Sequence, residues 1–530
     1  MSKPLWADVL VCPLAVALTF ILSACGTSDP PGPVSPTANP LVAQYSVRAG
    51  QAGQLAVQFG TDTSYGRQTA AYNVSAFQTL PILVAGMKPS TTYHMRAVLS
   101  VNGTAAWTDT DRTFTTGSIP IPPPPITVTR PNPQPEPESS GVELIAYNAS
   151  TGSPTLQTFA TDRDGNPIWF YAPPRRVPSF FKLLSNGHML VGISASATLP
   201  SLIREIDLAG NTIREIDSNT LQQELQAMGW PLTLTSFHHD FAPLPNGHLI
   251  ALAQTTKQFT DLPGYPGTIT VLGDVLIDLD QNWNPVWVWS AFDHLGINRH
   301  LQGLPDWTHS NAIVYDPVDG NLLLSIRHQS WIVDIDYENG AGTGNILWRL
   351  GEDGDFTIAG LDPTQWFYAQ HEPAIVSDTG SQLVLTVMDN GNLRVLDPQG
   401  DTCGNPPSPT CYTRATIFQV DESTMQAQLL WQDLPGFYSF WGGYGHGFAK
   451  LQYRVRDVGS VSTTRAGIAH YGSDTDEPTA TGVADGYRER LFVSLFPQPQ
   501  PLPWSDLGKI ESRKKEMPPQ TTRAFLRLNF

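Results

Sequence analysis

One tetrad recurs four times along the chain: His239-Asp-Phe-Ala242, His309-Ser-Asn-Ala312, His371-Glu-Pro-Ala374 and His446-Gly-Phe-Ala449. An imidazole can attack an electrophile, carry a proton near neutral pH or ligate a metal. A lone histidine is most often structural, but four at one place of a repeated unit point at one another if the units surround an axis. His238, His248, His294, His300, His328 and His470 lack that register and are read as structural. Arg327 adds a fixed cation. It follows His309 by eighteen residues, with the turn Asp316-Pro-Val-Asp-Gly320 midway, so antiparallel pairing sets it opposite or diagonal to His309. A guanidinium among imidazoles favours an anion with planar or tetrahedral oxygens.

The elements that must position these groups are strands. The clearest unit begins at His309, turns at Asp316 to Gly320, and continues through Leu322-Leu-Leu-Ser-Ile-Arg327, Trp331-Ile-Val-Asp-Ile-Asp336 and Ile346-Leu-Trp348. Four short strands in about forty residues make one propeller blade. Asn166-Pro-Ile-Trp169, Pro285-Val-Trp287 and Leu429-Leu430-Trp431 match the strand ending in Trp348, and Ile206-Asp207 and Ile277-Asp278 match Ile335-Asp336. Units beginning near 141, 177, 237, 309, 371 and 446 give six, with Ser179 in place of the histidine in the second. The first unit lacks an inner strand. A closed ring leaves no exposed edge, so the C-terminus is expected to supply a strand there or nearby.

The sequence therefore reads as all-β: a six-bladed β-propeller over 141–530, preceded by a small β-sandwich over 41–117. In the sandwich, short alternating segments such as Leu55-Ala-Val-Gln-Phe59 are divided by turns, and Met87-Lys-Pro-Ser-Thr-Thr-Tyr93 resembles the tyrosine corner of fibronectin type III domains. Residues 26–40 read as a flexible tether and 118–140 as a stiff proline-rich linker. The apolar run Val9 to Ile21 is too short to span a bilayer. It ends in Leu22-Ser23-Ala24-Cys25, which resembles the lipobox of bacterial lipoproteins. Residues 1–25 are thus expected to be a signal, with Cys25 lipidated and the chain exported and held at a membrane, in the periplasm or at the cell surface. Cys403 and Cys411, in a Gly/Pro-rich segment, read as a disulfide stapling a loop; a two-thiolate metal site would want further cysteines. A net charge of −17 over 530 residues argues against a nucleic-acid partner.

Further motifs surround the histidines: Asp306-Trp-Thr-His-Ser-Asn311, Ser325-Ile-Arg-His-Gln-Ser330 followed by Asp336 and Trp348-Arg-Leu-Gly351, Gln370-His371, and Asp389-Asn-Gly391. Over most of 230–450 the chain resembles the bacterial arylsulfate sulfotransferases in motif order, in the His-to-Arg spacing and in the intervening turns. That resemblance implies a propeller moving a sulfuryl group from an aryl sulfate to an acceptor phenol, with no metal, cofactor or nucleotide donor. It also implies His371 as the transiently sulfurylated nucleophile, His309 and Arg327 as holders of the sulfuryl oxygens, and His239 as hydrogen-bonding or proton-transfer partner. His446 stays in register without a task. Two other classes compete. Four histidines could ligate iron as in the carotenoid-cleaving oxygenases, against which stands Arg327 beside the metal charge. A non-catalytic propeller could instead bind sulfated or carboxylated ligands. The aromatic segments Phe367-Tyr368 and Phe437-Tyr-Ser-Phe-Trp441 could stack on a phenol or pack between blades.

Overall fold

The computed structural model describes residues 33–433, apart from 125, 129–141, 147–155, 163, 398–399 and 405–409, together with strands at 467–473, 489–495 and 524–528. Cys25, His446 and the 437–441 aromatic segment lie outside the described residues.

The described residues are mostly β, arranged in several separate sheets. The first two form a sandwich. In Thr92–Val101 the alternation of side chains buries Tyr93, Met95, Ala97 and Leu99, as expected of a strand with one face on a core. They meet Tyr45, Val47 and Ile82 of the facing sheet. The Tyr93 hydroxyl accepts the Lys88 N–H at 2.9 Å. One expectation is corrected here. Val34–Pro36, inside the stretch read as tether, is an edge strand paired with Ala43–Arg48. Val34 packs on the sandwich core, and an edge strand tolerates Pro36 because a position facing away from the ladder loses no hydrogen bond when the N–H is absent.

Six sheets follow. Those beginning at Val142, Pro178, Leu234, Ser310 and His371 take their main strands in chain order, each antiparallel to the next. The turns explain the repetition. The Asp162 carboxylate accepts the Asn166 backbone and side-chain N–H groups, and Asp207 with Asn211 and Asp280 with Asn284 repeat this closure in the next two sheets. The sixth sheet is built from both ends of the chain: Ile126–Val128 pairs with Ala524–Leu528, which pairs with Glu489–Leu495 and so to Gly467–Ser473. The C-terminal strand thus joins Ile126–Val128, not the first sheet, which keeps three strands among the described residues. It also corrects the linker, since the run Ile-Thr-Val within 118–140 is β-branched throughout and pairs as a strand.

Buried apolar clusters lie between neighbouring sheets. Leu252, Trp289, Leu324 and Tyr337 belong to one that spans the third and fourth, and Leu323, Trp348, Leu385 and Phe418 to one that spans the fourth and fifth. Phe367 and Tyr368 are buried in the latter, so these rings pack between sheets. The first strands of the second to fifth sheets run beside one another. That row carries the histidines.

Candidate active site

Each of three successive first strands is interrupted at its histidine or within the residues that follow it. Pairing jumps from Phe237 to Phe241, from Ser310 to Ala312 and from His371 to Ala374. His239 has φ +54°, His309 +49° and Glu372 +42°. Left-handed backbone is uncommon for residues with a Cβ, and bulges of this kind bend a strand and re-aim a side chain. Their effect is to bring the imidazoles together: the His239 ring lies 4.9 Å from that of His309 and 6.3 Å from that of His371, centroid to centroid.

The bulges are clamped across sheets. The Asp274 carboxylate accepts the Ser310 N–H at 2.5 Å, and Asp240 accepts the Ile313 N–H at 2.9 Å. Asn311 donates to the Gln370 carbonyl at 2.7 Å, while Gln370 donates to the Trp331 carbonyl at 2.8 Å. All of these fix the segments flanking the histidines against the neighbouring sheet. Buried polar groups satisfied in this way specify one geometry.

Arg327 follows the strand Leu322–Ile326, and the register Ser310 to Ile326 sets it opposite His309. It is buried. One Nη reaches His328 Nε2 at 2.5 Å and the other donates to Asn392 at 2.9 Å. His328 Nδ1 donates to the Asp306 carbonyl at 2.7 Å, leaving its Nε2 lone pair to accept from the guanidinium. Burial, then Arg327 and His309, push the His328 imidazole down to about 4, so it is neutral there.

His309 and His371 are held by different chemistry. His309 Nδ1 lies 2.5 Å from an Asp306 carboxylate oxygen, and its Nε2 is buried without a hydrogen-bond partner among the described residues. Burial acts to raise the Asp306 carboxyl, but its bond with His309, and that ring's charge, hold it below the usual carboxylate range. His371 Nδ1 lies 2.6 Å from the side-chain oxygen of Asn390, an acceptor without charge. A carboxylate stabilises a cation on its imidazole, whereas a neutral amide does so far less.

His239 stands against both rings, with His238 behind it. Their Nδ1 atoms are 2.7 Å apart, so one ring donates to the other, and His238 Nε2 is 3.1 Å from an Asp274 oxygen. Burial raises the Asp274 carboxyl, yet His238 and the Ser310 N–H outweigh it and hold the group at about 2. His239 is pushed well below the usual histidine range by burial and then by its cationic neighbours. Two imidazoles therefore link a fixed carboxylate to the site.

The structure brings His239, His309, Arg327 and His371 together. Sequence reasoning assigned no role to His238 and His328, read as structural, or to Asn390, Asn392 and Asp274, although His328 and Asn390 lie within the motifs Ser325 to Ser330 and Asp389 to Gly391. Four-histidine iron ligation fits poorly with these groups because a guanidinium, itself a cation, occupies the same cluster. Cys403 and Cys411 are joined as a disulfide, and the Cys403 N–H donates to the Arg394 carbonyl at 2.8 Å, on the loop that carries Asn390 and Asn392.

The family model described as Arylsulfotransferase (ASST) matches residues 129–444, well over half of the chain and all of the groups above. No curated relative matches it.

Proposed function

The chain belongs to the arylsulfotransferase family, and from that premise we propose that it moves a sulfuryl group from a phenolic sulfate ester to an acceptor phenol through a sulfurylated His371. The observation that carries the reading is the pairing of His371 with a neutral amide and of His309 with a carboxylate, with the His239 ring against both.

In the first half-reaction His371 Nε2 forms a bond to sulfur while the bond from sulfur to the aryl oxygen breaks, its electron pair leaving on the phenolate. His309 Nε2 gives that oxygen a proton, and the resulting change of charge is buffered by Asp306. In the second, the acceptor phenol returns a proton to His309, its oxygen bonds to sulfur, and the N–S pair returns to His371. Charge gathers on the equatorial oxygens in both transition states, where Arg327 and the His239–His238 pair supply donors. Two half-reactions through one covalent species give ping-pong kinetics.

The same reading takes the six sheets after the sandwich as the blades of a six-bladed propeller, with the sandwich as fibronectin type III-like and its Tyr93–Lys88 bond as the tyrosine corner. It takes residues 1–25 as a lipoprotein signal, with Cys25 carrying lipid and the enzyme exported and anchored to a membrane. An oxidising compartment agrees with the disulfide.

Rapid mixing with a nitrophenyl sulfate tests the chemistry. The enzyme should release nitrophenol in a burst matched to active sites, carry a sulfuryl adduct on His371, and turn over when a second phenol is added. His371→Ala should abolish burst and adduct together. A burst that survives in His371→Ala would overturn the mechanism, and binding of aryl sulfates without a burst in the unaltered enzyme would favour the non-catalytic reading.

A further inference from the structure

The loop between the strands Gln382–Asp389 and Arg414–Asp421 holds two groups of the site at once. Asn390 accepts from His371 Nδ1 at 2.6 Å, and Asn392 accepts from Arg327 at 2.9 Å. Asn390 is 2% exposed, and its backbone carbonyl takes the Thr413 hydroxyl at 2.9 Å. Its neighbours are fixed too. The Asp389 carboxylate binds Arg394 at 2.6 Å and Arg414 at 2.7 Å, all three buried, and takes the Tyr368 N–H at 2.9 Å. Gly391 has φ +82°, and a Cβ there would come 2.3 Å from the Tyr412 carbonyl oxygen. The amide oxygen therefore has little freedom to leave His371.

A carbonyl oxygen only accepts, so Nδ1 must carry the hydrogen and the nucleophilic lone pair must reside on Nε2. We propose that Asn390 is the positioning residue of His371, fixing this tautomer with an uncharged acceptor so that the sulfurylated ring both forms and discharges. The inference rests on His371 as the nucleophile. A carboxylate in the same place would favour the protonated ring, which cannot attack sulfur. It would also hold the cationic N–S intermediate, whose bond must break, with its electron pair returning to Nε2, when the acceptor oxygen bonds to sulfur. The amide avoids both effects, in contrast to Asp306 opposite His309, where a proton must be carried.

The test compares Asn390→Asp and Asn390→Ala with the unaltered enzyme, measuring the nitrophenol burst from a nitrophenyl sulfate, and adduct discharge to added phenol, from mildly acid to mildly alkaline buffer. Asn390→Asp should shift the acid limb of the burst upward by about one pH unit, a roughly tenfold lower rate in acid buffer with the alkaline rate kept. Discharge of its adduct should also slow. Asn390→Ala should lower the burst rate about 10- to 100-fold with substrate affinity unchanged. An Asn390→Asp enzyme with the unaltered pH profile and discharge rate overturns the inference, and so does an unchanged burst in Asn390→Ala. Should the alanine variant not fold, the isosteric aspartate decides alone. If the unaltered enzyme shows no adduct on His371, it is the nucleophile assignment that fails. An adduct there, with both variants indifferent, sinks only the role of Asn390.

Discussion

Arg327 illustrates why residue type and not charge alone matters in this site. Its fork spans His328 and Asn392, and a neutral His328 is what allows that ring to accept from it. Lysine would offer one mobile ammonium in place of two fixed N–H directions. Arg327→Lys is expected to lower the burst rate by roughly 10²–10³-fold, the usual loss when one preorganised donor is removed. Thermal stability should change little by comparison, and stopped-flow and melting measurements on the same preparation separate the two. His239 shows the limit of register arguments. His238 and His239 are adjacent, and only the left-handed turn at His239 decides which ring meets His309.

The loop from Asp389 to Arg414 carries a buried charge cluster at its two ends. Two guanidiniums share one buried carboxylate, with Arg414 also donating to the Trp366 carbonyl at 2.7 Å. Asp389→Asn would leave two buried cations without their counter-charge, and is expected to cost about 3–5 kcal/mol of stability in denaturant titration. Much of the element layout was legible in the sequence, because Trp348, Asp336 and their counterparts recur at matching places in several of the units. What stayed hidden has physical causes. Val34–Pro36 and Ile126–Val128 are three-residue strands in proline-rich surroundings; the first pairs with the nearby Ala43–Arg48, and the second with Ala524–Leu528, far off in sequence. Asn390, Asn392 and Asp274 reach the site from outside the repeated tetrad, so no periodicity marked them. His309, Arg327 and His371 were legible because register and motif coincide there.

At the scale of the molecule, the sandwich packs directly on the first two of the sheets that follow it. Asn39 donates to the Phe170 carbonyl at 2.9 Å, Lys88 meets Asp162 at 3.2 Å, and Val42 shares a core cluster with Trp169 and Val191. Between the fourth and fifth sheets the balance of charge is unfavourable. Burial first, and then Asp319, Glu422, Asp316 and Asp336, push Asp334 up to about 8, while burial and Asp378 push Asp316 up to about 7. Folded carboxyls then keep protons that the unfolded chain, with its ordinary value of 3.8, has lost. Stability from these groups is complete in acid below that value and is lost as the pH rises to about 8. Asp334→Asn should therefore raise the melting temperature by a few degrees in alkaline buffer and flatten its fall between mildly acid and alkaline conditions. An unchanged pH slope in calorimetry would contradict this. The three interrupted strands bear on how such chemistry could be moved elsewhere. A designer who copied the histidines, the arginine and the asparagine onto regular strands of another scaffold would aim the imidazoles along the pleat and away from one another. What must be transplanted is the trio of kinks and the sheet-to-sheet spacing between them, with the side chains as the last and least difficult part.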